Sequence, residues 1–501
     1  MKIQASQPQG WRAAWNKGLA VLLQAHLPGR FSAQDLAQAW CVSKSANPFF
    51  LLETPSGPQA KRFSLLAGEP LFVLEGRGSK AWIVRGRVRV PLRLAPEQAL
   101  ARLGRALKAQ GVAGQGQGGV PLLGGLSYEA GARFEPWRLP KAEPLGLPDW
   151  LWILPSRWMQ RRGSGQAWTV TQLAPSPAFL AALAKALGMT APQLRALSAE
   201  PEASHLEGWL LGLQSRVEHP LPRSTTRARA GRIKDNATPQ RFARMIRRAQ
   251  SEISAGEYYQ ANLSHRLQAA FDGDAFAFYQ RLLHESPSPM SAYADLGGVQ
   301  VISASPERLF RQRGSRIETW PIAGTAANLG KRGEAAALRA SAKDAAEHVM
   351  LVDLERNDLG RVSAMGSVKV PKFKTVETYA HVHHLVSQVS GTLAPGKDFF
   401  DLLRAGFPGG SITGAPKSRV LKAIAELEGE RRGWYTGALG YWDPWAERAD
   451  MNILIRGAIA KEGRLTWSVG SGIVADSQAA AEWRETLAKG KAIVKVLRAK
   501  R

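Results

Sequence analysis

The sequence predicts an α+β fold, and three observations carry that reading. Stretches such as WIVRGRVRV alternate apolar and basic residues in the manner of half-exposed strands. Between such stretches lie segments whose apolar residues recur every three or four positions, as helices require. No Rossmann-type phosphate loop opens a strand–helix pair, which argues against a doubly wound parallel sheet. At 501 residues the chain can bury a large core, enough for two lobes. Its 45% hydrophobic and 22% charged residues are globular values. The single cysteine, Cys41, excludes an internal disulfide framework and fits a reducing cytoplasm. No apolar run reaches membrane-spanning length, and MKIQASQPQGWRAAW lacks the apolar core of a secretory signal. The expected location is therefore the cytoplasm. The formal net charge of +26 is dispersed, with mild clusters at residues 85–93 and 223–234. No nucleic-acid motif accompanies it, and nucleic-acid binding is not expected as a main function. A basic surface that attracts anionic substrates, or a basic proteome, accounts for the charge.

Residues 11–40 read as helical. FFLLE at 49–53, followed by a Pro/Gly turn, predicts a strand and hairpin. Residues 71–94 read as half-exposed strands. Residues 95–110 read as a helix, because Leu100, Leu103 and Leu107 share a face. GVAGQGQGG at 111–119 reads as a flexible loop. Two tryptophan-rich strands are expected within 151–173, and helical Ala/Leu patterns within 174–217. The polar, basic stretch from 218 reads as a surface linker. The chain thus divides into an N-terminal lobe (1–217), a linker (218–237) and a second lobe (238–501).

The second lobe opens with a Thr238 cap and a helix that presents Phe242, Ile246 and Ala249 on one face and ends at Gly256. Strands are expected in YYQANLSHRL, VQVISASPERLF and RIETWPIAGT, then a helix in SAKDAAEHVMLVDLERNDLGR. A strand in VHHLVSQVSGTL follows, with more in GALGYWD, DMNILIRGAI and LTWSVGSGIVADS. AAAEWRETLAKGKAIVKVL reads as one final helix.

FPGGSITGAPKSRVLKAIAEL, residues 407–427, is a glycine-rich turn feeding a helix. Gly409, Gly410 and Gly414 permit backbone angles and approaches that a Cβ would block. Pro416 fits the first helical turn, and Val420, Ala423, Ile424 and Leu427 keep helical spacing. The open helix end makes an anion the natural occupant of the turn. It is not a P-loop, since Ala415 and Pro416 separate Gly414 from Lys417.

Three groups of residues carry chemistry. Asp344 and Glu347 share a helix face, as do Glu482 and Glu485. Clustered carboxylates suit a hard cation such as Mg²⁺. They equally suit salt bridging, with Lys343–Glu347 and Glu485–Lys489 both at i, i+4. Arg456 lies in an expected strand, where a buried arginine needs an anion. Gly470, Ser471 and Gly472 offer backbone N–H groups that could approach the same anion. Glu307 and His384 are of acid–base type, but taken singly each reads more readily as a satisfied structural residue; His383 falls on the strand's other face.

FPGGSITGAPK resembles the signature of the chorismate-utilising enzymes, the family of anthranilate synthase component I, aminodeoxychorismate synthase component I and the isochorismate synthases. The resemblance is strong from about Thr238 onward and weaker before. It implies two large antiparallel β-sheets packed together with helices outside. On the matching motifs it implies Mg²⁺ held by Glu347 and Glu485, with Glu482 and Asp344 acting through water. It implies substrate contacts from Arg456, Tyr441, Gly470, Ser471, Gly472, Lys489, Ser411 and Gly414. Glu307 of SPER and His384 of VHHLVS match acid–base positions, and Thr325 and Gln260 complete the implied catalytic set. LLET at 51–54 and SPSPM at 286–290 partly resemble a tryptophan-pocket lining; an ordinary core strand is the alternative.

Two positions discriminate within the family. The water-using members carry lysine where this chain has Gln260, and a glutamine cannot serve as a base toward water. Ammonia is the implied nucleophile, delivered by a separate glutamine amidotransferase subunit. Many aminodeoxychorismate synthases carry a nucleophilic lysine where this chain has Ala323, as the anthranilate synthases do, and alanine closes the covalent route. GGSITG, VHHLVS and GIVADSQ are closest to the aminodeoxychorismate synthases. The implied reaction joins chorismate and ammonia to give 4-amino-4-deoxychorismate. The alternatives are anthranilate formation and, in another class, a non-catalytic basic binding protein.

Overall fold

The computed structural model describes residues 16–17, 19–41, 48–54, 63–110, 112–113, 119–141, 145–163, 166–190, 193, 204–220, 232–328, 333–378 and 382–499. The N-terminal MKIQASQPQGWRAAW stretch, most of the 111–119 loop and most of the linker lie outside them, as do the side chains of Thr325 and Asp344.

Two strands organise the rest. Phe63–Arg77 and Trp150–Arg162 run antiparallel along their length, with an irregularity between Pro70 and Phe72. Proline cannot continue a regular ladder, and here Pro70 faces Pro155. On one side of that bend the pair joins the strands Phe49–Glu53 and Trp168–Ala174. On the other side it joins Lys80–Arg85 and Leu122–Leu126. Strands that bend from one sheet into another make the corner between two packed sheets.

The first sheet continues from Phe49–Glu53 through Met290–Asp295, Val299–Ser305, Gly457–Lys461 and Arg464–Ile473 to Gln260–Ala270. The second continues from Leu122–Leu126 through Ala438–Asp443, Arg448–Ile453, Arg308–Arg313 and Arg316–Thr319 to Val382–Thr392. Each sheet combines strands from before residue 217 with strands from after 238, so the two sequence segments share both sheets.

Period-two alternation divides the side chains between two cores. Leu22, Phe50 and Leu52 enter the large core, while Val21, Leu23, Phe49 and Leu51 enter a second one. Leu36 and Trp40 of the helix Ala33–Cys41 and Phe278 and Leu282 of the helix Ala275–Glu285 cover that second core.

Several expectations hold in detail. Thr238 caps Pro239–Ser254 by accepting from the Arg241 N–H at 3.2 Å, and Phe242, Ile246 and Ala249 are buried. Leu100, Leu103 and Leu107 are buried on Pro96–Ala109. Three differ. Within 11–40, Ala20–Leu27 is a strand rather than helix: its AVLLQAHL run pairs with Trp168–Ala174 and is buried on both faces. The last helix is two, Ala479–Lys489 and Lys491–Arg498, which meet at Gly490. A Cβ there would stand 3.2 Å from Val469, and the turn swings Ile493, Val496 and Leu497 into the second core. Pro416 precedes the helix Lys417–Glu428 as its N-cap residue rather than occupying its first turn.

Candidate active site

The strand Gln260–Ala270 lies against Arg464–Ile473 with Asn262 opposite Gly472 and Ser264 opposite Gly470. Directly opposed residues share a face, so Gln260, Asn262, Gly470 and Gly472 look the same way. A Cβ on Gly472 would lie 2.4 Å from Gln260 Nε2, and one on Gly470 would lie 3.0 Å from the Tyr435 hydroxyl. The two glycines therefore keep room for polar groups. Gly414 has the same role in the turn: its φ is +140° and a Cβ would lie 2.0 Å from the Gln260 carbonyl. Thr413 Oγ1 donates to the Gly409 carbonyl at 2.8 Å and holds the turn to its own chain.

A cationic group sits beside this face. Arg456 is not within a strand: it stands between Arg448–Ile453 and Gly457–Lys461 with a φ of +53°. Its Nη1 donates to the Lys489 carbonyl at 3.3 Å. Lys489 Nζ donates to the Gly470 carbonyl at 3.0 Å and pairs with Glu485 Oε1 at 2.7 Å. The salt bridge read from the sequence is thus formed. Burial lowers the Arg456 pKa against the pull of Tyr435, Glu485 and Glu307.

Glu307 follows the strand Val299–Ser305 and is 6% exposed. Its N–H donates to Ser305 Oγ at 3.2 Å. Burial pushes its carboxyl up to about 7, against the Ser411 hydroxyl, the Ile322 N–H and the Lys489 and Arg456 cations. Ser411 Oγ acts on that carboxyl without a hydrogen bond of good geometry. Burial and the adjacent Arg456 push His384 down to about 4, so its imidazole is neutral at pH 7. His383 faces the other way, with Nδ1 at 3.0 Å from Thr378 Oγ1. Thr325 registers opposite His384 on the neighbouring strand.

The three described carboxylates, Glu347, Glu482 and Glu485, differ in their partners. Gln260 Nε2 donates to Glu347 Oε1 at 3.3 Å, and Gln260 Oε1, buried beside it, has no hydrogen-bond partner. Glu482 accepts on both oxygens, from Ser477 Oγ at 2.8 Å and from Ser471 Oγ. Its two serine donors fix its orientation, and the Ser471 side chain is turned toward the helix Ala479–Lys489. Among the described residues no three His, Cys, Asp or Glu side chains cluster closely enough to hold a metal. Mg²⁺ needs only one or two carboxylates and keeps several waters. Glu347, with the unpartnered Gln260 oxygen beside it, and Glu485 fit that donor chemistry.

Tyr441 does not join the group. Its ring stands 5.8 Å from Phe63, and its charged neighbours are Asp450, Arg162, Asp443 and Arg313. Tyr435 takes the place instead, beside Gly470 and Arg456. Sequence reasoning missed it because RGWYTG lies in a loop without periodicity; its one signal was a tyrosine just before the GALGYWD strand. His348 was also missed. Its Nε2 lies 2.6 Å from Ser387 Oγ, its Nδ1 is buried without a hydrogen-bond partner, and burial pushes the imidazole down to about 4.

A model for chorismate-binding enzymes matches residues 48–495. The chain belongs to this family. It is 35% identical over 478 residues to anthranilate synthase component 1 of Thermus thermophilus, covering 91% of this chain and 93% of that protein. It is 43% identical over 258 residues to aminodeoxychorismate synthase component 1 of Salmonella typhimurium, covering 51% and 57%. Against several such curated relatives the chain spans only about half of their length. The crystal structure of anthranilate synthase component I from Streptococcus pneumoniae superimposes with a TM-score of 0.73 at 29% identity, over 87% of this chain and 93% of that one. The pairing of Phe49–Glu53 with Met290–Asp295 also brings the LLET and SPSPM stretches together, and Glu53, Thr54, Pro289 and Met290 line one cavity. Among the described residues no helix is long and apolar enough to cross a membrane.

Proposed function

We propose that this chorismate-binding enzyme is an aminodeoxychorismate synthase component I, which replaces the C4 hydroxyl of chorismate with ammonia and releases water. The observation that carries the amine half of this reading is the pair Gln260 and Asn262. Both amides have N–H donors engaged, to Glu347 Oε1 at 3.3 Å and to the Ser411 carbonyl at 3.5 Å. Both carbonyl oxygens are buried without a partner. Buried acceptors want donors, and ammonia offers three N–H groups while keeping its lone pair for attack. No base toward water stands at this position.

Arg456, Lys489 and Tyr435 hold the carboxylate end of the substrate by charge and hydrogen bonding. Protonated Glu307 gives its proton to the departing hydroxyl, which leaves as water. Neutral His384 can hydrogen-bond a substrate hydroxyl without adding charge. Mg²⁺, held by Glu347 and Glu485, would neutralise a substrate carboxylate and polarise the system toward loss of the hydroxyl. Amination at C4 is supported by the GGSITG, VHHLVS and GIVADSQ wording. Anthranilate formation is favoured by Ala323 and by the nearly full-length likeness to the Thermus protein. Ammonia would come from a glutamine amidotransferase subunit, in the cytoplasm.

The test supplies chorismate, Mg²⁺ and ammonium salt, with and without an added aminodeoxychorismate lyase. Product that becomes 4-aminobenzoate only with the lyase is the expected outcome. Fluorescent anthranilate without the lyase would replace this reading with the tryptophan-pathway one.

A further inference from the structure

The helix Ala479–Lys489 carries Glu485 and Lys489, yet apolar burial does little to hold it. Its two fully buried residues are a carboxylate, Glu482, and a hydroxyl, Thr486; Ala479 and Trp483 are half-buried. Apolar contact is non-directional, whereas a hydrogen bond needs its own distance and angle. Polar contacts therefore set the rotation of this helix about its axis. Glu482, Thr486 and Lys489 lie on one face, at i, i+4 and i+7. Glu482 meets Ser471 and Ser477, and Lys489 Nζ meets the Gly470 carbonyl at 3.0 Å. Between them, Thr486 Oγ1 lies 2.9 Å from His265 Nε2.

His265 is a buried histidine that the chemistry above leaves unused. On the strand Gln260–Ala270 it alternates with Gln260 and Asn262, which puts it on the sheet's other side. It is 3% exposed. Its Nδ1 lies 2.9 Å from Asp235 Oδ1. A carboxylate can only accept, so Nδ1 donates to it and the ring is held edge-on. Asp235 is itself tied down, since the same oxygen accepts from the Ala237 N–H at 2.9 Å. The face of the ring stacks on Trp483, with centroids 4.5 Å apart and planes at 18°. Phe242 packs against both rings, 5.5 Å from His265 and 5.6 Å from Trp483. One imidazole thus meets the same helix twice, at Trp483 by its face and at Thr486 by its edge. Both contacts lie within one turn of Glu485.

We propose that His265 is a positioning residue, which fixes the helix Ala479–Lys489 from behind the sheet and so sets where Glu485 and Lys489 stand. This rests on the reading of Glu485 as a Mg²⁺ ligand and of Lys489 as a substrate contact. Glu485 is bonded to Lys489 at 2.7 Å, and the Lys489 carbonyl accepts from Arg456 Nη1 at 3.3 Å. A rotation of the helix therefore moves a metal ligand and a cation together. A side-chain tip stands about 5 Å from the helix axis, so a rotation of about 10° carries it about 1 Å. Mg²⁺ demands near-ideal octahedral geometry, and a shift of that size weakens its hold.

The experiment uses two substitutions that each keep half of the histidine. In His265→Gln the amide reaches the place of Nε2 and meets Thr486. In His265→Asn it stands at the place of Nδ1 and meets Asp235 instead. Phe242→Leu, which loosens the same packing and leaves both hydrogen bonds, is the control. Mn²⁺ takes the oxygen sites that suit Mg²⁺, and its binding to the full chain is read by electron paramagnetic resonance, without turnover. His265→Asn should weaken Mn²⁺ binding by about 10-fold, the lower end of what a residue behind a metal ligand is worth. His265→Gln should stay close to wild type. Phe242→Leu should lower the urea midpoint and leave the Mn²⁺ constant in place. Equal losses in His265→Gln and His265→Asn, or in His265→Asn and Phe242→Leu, would mean packing alone and overturn the proposal. Should His265→Asn fail to fold, Thr486→Val removes the same hydrogen bond at constant shape: its Mn²⁺ affinity should fall and Thr486→Ser should restore it, whereas an unchanged affinity refutes the proposal. Should wild type bind no Mn²⁺, the metal reading of Glu485 fails, and chorismate affinity by calorimetry decides through Lys489. A loss in His265→Asn that is absent in His265→Gln then supports positioning, and no loss refutes it. Wild type that binds neither would remove the proposed function and the proposal with it.

Discussion

Replacing Glu307 with glutamine is expected to lower kcat by roughly 10²- to 10⁴-fold, the usual worth of a positioned acid, with little change in KM. Glutamine keeps the volume and can still meet Ser411 and the Ile322 N–H, but it has no proton to give. Binding rests on Arg456, Lys489 and Tyr435, which the change does not touch. The wild-type rate should fall as pH rises through about 7, where Glu307 ionises, and Glu307→Gln should lose that limb. Stability moves in the opposite sense. The folded pKa is raised above the unfolded value, so the favourable contribution is complete at low pH and is lost as pH rises through about 7. Glu307→Gln should therefore gain stability relative to wild type at pH 8 and not at pH 4. Steady-state kinetics with urea midpoints at the two pH values checks both statements. A rate loss carried by KM alone would place Glu307 among the binding groups.

Glu307 and His384 were legible only through the resemblance of SPER and VHHLVS to family motifs, since a single buried glutamate or histidine reads as well as a structural residue. The glycine turn could be read from its own residues, and His383 from alternation, which puts it on the strand's other side. Tyr435 shows where that legibility stops. Its place beside Arg456 is set by the long-range pairing of Ala438–Asp443 with Leu122–Leu126 and Arg448–Ile453, which no local pattern encodes. Tyr441, inside a well-read strand, was the more visible tyrosine and falls elsewhere for the same reason. Arg456 was read as a strand residue because a non-glycine residue at φ +53° leaves no trace in the sequence. Ala20–Leu27 was misread because AVLLQAHL is apolar on both faces and so has neither a helical nor a strand period. Glu482 shares a helix face with Glu485, yet the serines that orient it, Ser471 and Ser477, come from outside its helix and could not be read from its spacing.

The largest effect on stability is expected at Arg432. It is 5% exposed and donates to both oxygens of Glu428, at 3.0 and 2.7 Å. It also donates to the Ile412 carbonyl of the turn at 2.8 Å and to the Asn262 carbonyl at 2.6 Å. Its guanidinium lies over the Tyr128 ring, 4.6 Å from the centroid. Glu428 in turn accepts from the Ser264 N–H and hydroxyl, at 2.8 and 2.9 Å. One arginine therefore ties the glycine turn, the Gln260 strand and the helix Lys417–Glu428 together. Arg432→Met fills similar volume but leaves Glu428 as an unpaired buried charge and two carbonyls without donors. Breaking a buried pair from one side costs about 3–5 kcal/mol, and the urea midpoint should fall accordingly. Adding Glu428→Gln removes the stranded charge, so the double variant should recover part of the loss. Additive losses in the two single variants would mean that packing on Tyr128, rather than the ion pair, carries the stability. The same variant reports on function, because Asn262 and the turn move with Arg432. At a urea-free temperature where Arg432→Met stays folded, its KM for ammonia should rise more than its KM for chorismate, since the amide oxygens lie on the strand that Arg432 fixes and Arg456 and Lys489 do not.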